Sequence, residues 1–63
     1  MSQPLGDRVF RPREVARVVG LSLTTVNKLR REGLFPAPIK LSAQAVGWRE
    51  ADVREWIDTR ERV

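Results

Sequence analysis

Thr24, Asn27, Lys28 and Arg31 are polar residues spaced so that one helix would carry them on one face. At 3.6 residues per turn they fall within an arc of about 100°, with Thr25 at its edge. The face combines a methyl and a hydroxyl, a carboxamide that donates and accepts, and two cations. Those groups match base edges in the major groove of duplex DNA. Threonine meets a thymine methyl or a phosphate, asparagine pairs bidentately with adenine, and lysine or arginine donates to guanine O6 and N7. Catalysis has no comparable set. The chain has no histidine and no cysteine, so a base-activated nucleophile would need a lysine or paired carboxylates. No such pair falls on an expected buried face, and the chain reads as a non-enzyme.

The surrounding residues position that face. Leu23, Val26 and Leu29 cover the opposite arc, so the spacing predicts an amphipathic helix from Leu23 to Glu32. Ser22 is a good N-cap and Gly33 a natural stop. A helix of that length is about 15 Å long and fits a groove about 12 Å wide. Before it, Pro12 suits a first helical turn, and Glu14 complements the positive end of the helix dipole. Val15, Val18 and Val19 make a buried stripe, with Ala16 beside it and Arg13 and Arg17 on the other side. Gly20 forms the turn and Leu21 returns to the core. Ala16, Gly20 and Val26, at offsets of four and ten, supply a small contact residue, a turn and an anchor, the pattern of a helix-turn-helix. Arg11, Arg13 and Ser22 are candidates for phosphate contact by position.

Pro36 and Pro38 forbid a helix after Gly33 and lead into an edge strand. Ile39 and Leu41 alternate with Lys40, as in a half-buried strand, and Val46-Gly47-Trp48 offers a second strand across the loop Ser42–Ala45. The pair reads as a wing, with Lys40, Ser42 and Gln44 as candidates for backbone or minor-groove contact. A last helix from Glu50 to Arg62 turns Val53, Trp56, Ile57 and the stem of Arg60 inward. Trp48 and Trp56 read as core residues. Residues 1–8 are expected to form a flexible tail, although Arg8 to Phe10 could extend and deliver Phe10 to the core. Residues 9–63 would form one domain. The expected fold is mainly α with a small β-hairpin, a winged helix-turn-helix of three helices and a two-stranded wing.

Composition agrees and excludes alternatives. Residues 1–49 hold nine Arg or Lys against three Asp or Glu, net +6, and residues 50–63 hold three against five, net −2. A basic body with a mildly acidic end presents one surface to a polyanion and turns another away. Without thiols or imidazoles, disulfides and zinc sites are excluded, and no metal or cofactor is expected. No apolar run approaches a membrane span and the N-terminus lacks a signal-peptide core. A cytoplasmic protein, on the nucleoid when bound, is expected.

The stretches EVARVVGLSLTTV (Glu14–Val26), REGLFPAPIKL (Arg31–Leu41) and AVGWREADVREWI (Ala45–Ile57) resemble the AlpA-like phage regulators and related excisionases, in the winged-helix group that includes the MerR-type DNA-binding domain. The resemblance covers about nine-tenths of the chain. It implies a second helix in the major groove, assigned to Thr24, Thr25, Asn27 and Lys28, and a wing on the backbone, assigned to Lys40, Ser42 and Gln44. Leu23 stands where the family usually has a basic residue, and Asn27 where it often has an aromatic one. The implied function is sequence-specific binding of double-stranded DNA by a prophage or mobile-element protein. Its outcome would be transcriptional regulation or excision with an integrase as partner, by a monomer that assembles cooperatively on DNA. The alternative is a winged-helix module whose basic face docks an acidic protein.

Overall fold

A computed structural model describes residues 8–63; the expected tail over Met1–Asp7 lies outside the described residues. The elements run β1 (Val9–Phe10), α1 (Pro12–Val19), α2 (Leu23–Arg31), β2 (Ile39–Ser42), β3 (Ala45–Arg49) and α3 (Glu50–Asp58). Three helices and a small antiparallel sheet make a winged-helix fold. The sheet has three strands rather than the expected two, in the order β1-β3-β2. The extra strand is the segment that carries Phe10, which pairs with Trp48 while Val9 pairs with Arg49.

Glycine geometry ends both helices of the central unit. Gly20 has φ 78° and Gly33 φ 76°, left-handed values that cost least without a Cβ. After α1, the Leu21 amide donates to the Ala16 carbonyl at 3.0 Å. After α2, the Leu34 amide donates to Leu29 O at 2.8 Å and Gly33 N–H to Arg30 O at 3.0 Å. These two bonds make a Schellman closure. It ends α2 at Arg31, with Glu32 as cap, one residue earlier than expected. At the other end of the chain, α3 stops at Asp58 instead of reaching Arg62. The Trp56 carbonyl there accepts from the Thr59 hydroxyl (2.8 Å) and from Arg60 Nε (3.1 Å).

The core joins Phe10, Val15, Ala16, Val26, Phe35, Trp48 and Val53, flanked by Val19, Leu21, Leu23, Leu29 and Trp56. On the helices, two expected core residues lie outside the core. Val18 is 49% exposed and Ile57 40% exposed. On α1 the buried arc runs through Val15, Val19 and Ala16, and Val18 falls beyond its edge. On α3 the loop carrying Phe35 covers the Trp56 side, and Ile57 stands on the other.

Phe35, between α2 and the first proline, has no periodicity to mark it, yet it is buried. Its ring meets Trp48 edge-on at 5.9 Å and Trp56 at 4.7 Å, an arrangement favoured by the ring quadrupoles. Both indoles also donate to this loop, Trp48 Nε1 to Pro36 O at 2.7 Å and Trp56 Nε1 to Leu34 O at 2.8 Å. The connection from α2 to β2 is thus held at three successive residues.

Strand register corrects the expected faces of β2. Ile39 pairs with Gly47 and Lys40 with Val46, and directly paired residues share a face. Lys40 therefore lies on the Trp48 side of the sheet, the side that the helices cover. Leu41 lies on the outer face and is 41% exposed. A Cβ placed on Gly47 would meet Val9 Cγ1 at 2.7 Å, Phe10 O at 2.9 Å and Leu41 Cδ1 at 3.0 Å. Val9 and Leu41 close over Gly47 from the two neighbouring strands.

Candidate nucleic-acid interface

The polar face of α2 is held by its buried one. Val26 is fully buried, and Leu23 and Leu29 pack against the core, leaving Thr24, Lys28, Arg30 and Arg31 exposed and Asn27 and Thr25 half-buried. The N-terminus is fixed by Ser22, whose Oγ accepts from the Thr25 amide at 3.1 Å and donates to Thr25 Oγ1 at 2.9 Å. The Ser22 hydroxyl proton is thereby engaged inside the cap, and Thr25 keeps its own to donate. Ser22 positions the helix end, while Thr25 can bond outward. Leu23 to Arg31 contains no acid, and Lys28, Arg30 and Arg31 occupy its last turn, where cations complement the dipole.

At the start of α1, the Arg11 amide donates to Glu14 Oε1 at 3.0 Å, and Glu14 also faces Arg8 at 3.5 Å. The Arg11 and Arg13 side chains are not part of that pair. Ion pairs among the described residues join Arg8 to Glu14 and Arg54 to Glu50 (3.1 Å). Among the described residues, no ion pair engages Arg11, Arg13, Arg17, Lys28, Arg30, Arg31 or Lys40. These cations are available to an external anion. Arg30 is not legible as one from the sequence, because on a helical wheel it falls between Leu23 and Val26. Its place in the last turn, beyond the core, is the signal that identifies it.

The wing ends in the two-residue turn Ala43–Gln44, between Ser42 and Ala45, with an irregularity in register between Lys40 and Ser42. Ser42 Oγ accepts from the Gln44 amide at 3.4 Å. Lys40, Ser42 and Gln44 are all exposed. Lys40 projects from the face of the sheet that packs on the helices.

The family model described as Prophage CP4-57 regulatory protein (AlpA) matches residues 8–61. The chain belongs to the AlpA family of prophage regulators. That family is regulatory rather than enzymatic. A curated relative, the uncharacterized protein ORF88 of Enterobacteria phage P4, is 35% identical over 51 residues, covering 81% of this chain and 58% of the relative. The chain thus spans little more than half the length of that relative. No solved structure matches it significantly. No helix among the described residues of this AlpA-family chain is long and apolar enough to cross a membrane.

Proposed function

We propose that the chain is a sequence-specific double-stranded-DNA-binding regulator of prophage or mobile-element type. In this reading α2 lies in the major groove, with Thr24, Asn27 and Lys28 against base edges and Thr25 at their flank. Arg11, Arg13 and Arg31 hold phosphates, Ser22 fixes the helix end beside them, and Lys40, Ser42 and Gln44 bring the wing to the flanking backbone. The observation that carries it is the outward face of α2, acid-free and without an ion pair among the described residues, on a helix capped at both ends. Binding at a promoter would set transcription. Binding at an attachment site, beside an integrase, would set the direction of recombination. The family's description as a regulatory protein supports the first outcome; in vitro excision with and without the chain distinguishes the second.

One module buries only about 600–1,000 Å² on DNA, so a chain that is monomeric when free would gain affinity by cooperative binding to adjacent sites. The test is fluorescence anisotropy on operator DNA at increasing salt. Contacts from Arg11, Arg13, Arg30, Arg31 and Lys40 give a slope of about −4.5 in log K against log salt, at roughly 0.9 per phosphate. Absence of duplex binding at low salt refutes the proposal, and would leave an acidic protein as the partner of the basic face.

A further inference from the structure

Between the end of α2 and α3 lies an open groove of about 500 Å³. Leu34, Pro36 and Trp56 form its apolar floor, Asp52 and Glu55 its acidic rim, and Arg60 one end. Leu34 is 56% exposed. The Trp56 indole cannot turn away to cover it, because its Nε1 is fixed on Leu34 O.

A guanidinium already occupies the ring. Arg60 lies over the Trp56 indole with its central carbon 4.2 Å from the ring centre. Its Nε donates to Trp56 O and its Nη2 to Thr59 Oγ1 at 3.2 Å. No carboxylate pairs with Arg60 among the described residues. Asp52 and Glu55, on the same groove, are left without a cation among those residues. The groove thus combines a cation-binding ring, two unneutralised carboxylates and an exposed leucine.

We propose that this groove docks a basic segment of a partner protein, one that places an arginine beside the Trp56 ring and an aliphatic side chain on Leu34. Charge decides the occupant. The chain's own Met1–Asp7 stretch contains no arginine or lysine. Asp52 and Glu55 would repel a duplex, so DNA is not the occupant of this groove.

The probe is a short peptide alternating arginine with leucine, with a glutamate–leucine peptide as control, titrated into the isotopically labelled chain. The arginine peptide is expected to shift the Trp56 indole N–H and the Leu34 amide while leaving the Trp48 indole unmoved. Glu55→Lys, on an exposed position of α3, should weaken it about three- to tenfold by reversing a rim charge. Arg60→Ala should strengthen it about two- to fivefold by freeing the ring, an effect opposite to that of a merely destabilising change. Duplex affinity of Glu55→Lys should not fall. If Glu55→Lys perturbs folding, Glu55→Gln gives the same test with a smaller effect. The proposal is overturned if the glutamate peptide binds equally, if the shifts map elsewhere, or if Arg60→Ala weakens binding. It is also overturned if sedimentation shows the free chain forming a dimer that Glu55→Lys dissociates, because a second copy would then fill the groove.

Discussion

Replacing Gly47 by alanine puts a methyl group where the sheet has little room. Its Cβ would stand 2.7 Å from Val9 Cγ1, 2.9 Å from Phe10 O and 3.0 Å from Leu41 Cδ1. The Leu41 approach is with the end of a flexible side chain on the exposed face and can yield by rotation, whereas Val9 Cγ1, on a stiff β-branched side chain, yields less. The Phe10 carbonyl is backbone, in a strand paired with β3, and moves only if β1 shifts and draws Phe10 from the core. Overpacking of this kind costs about 1–3 kcal/mol. Alanine also restricts the unfolded chain, a gain of about 0.4–1 kcal/mol, so a net destabilisation of about 1–2 kcal/mol is expected. For a domain this small each kcal/mol moves Tm by about 4–8 °C, and thermal denaturation followed by circular dichroism should show a fall of about 5–15 °C. Adding Val9→Ala removes one obstruction and leaves the carbonyl, so rescue should be partial. Well below Tm, DNA affinity should be unchanged, since no reading residue is touched. An unchanged Tm for Gly47→Ala, or full rescue by Val9→Ala, would refute the reasoning about the carbonyl.

On the proposed interface, Asn27→Ala should relax base preference at one operator position by about 1–3 kcal/mol of discrimination; an unaltered binding-site selection profile would withdraw that assignment. Lys40→Ala should weaken all sequences alike and reduce the salt slope by about 0.9, the share of a single neutralised phosphate. Ser22→Ala should lower stability by about 1 kcal/mol through removal of the cap while leaving duplex affinity unchanged well below Tm. A uniform loss of affinity for all sequences at an unchanged salt slope would mean that Ser22 touches phosphate directly.

The central two-helix unit is legible in the sequence because its punctuation is local. Ser22, Gly20 and Gly33 act within a turn of where they stand, and the structure uses each as its residue type suggests. Long-range pairing is less visible. Val9 and Phe10 are too few to show an alternating pattern, and only their pairing with Arg49 and Trp48 makes them a strand. Alternation in Ile39–Leu41 suggests that its apolar residues point inward. The pairing of Lys40 with Val46 reverses this, because Leu41 is used to cover Gly47 on the outer face. Nothing near Phe35 marks it as core, since its burial depends on two tryptophans more than ten residues away. The basic face is legible as residue types, but its lack of ion-pair partners among the described residues is a property of the fold.

The two indole bonds and the Phe35 ring that hold the loop after α2 also govern how a target would be measured. They fix the distance and angle between the helix and the wing, so the two move as one rigid gauge. Each base-pair step advances about 3.4 Å along the duplex and rotates the next phosphate around it. If α2 enters a groove as proposed and the wing touches the backbone, a gauge without slack accepts one separation between them. A target with one base pair inserted between them would satisfy only one of the two, even with every recognised base intact.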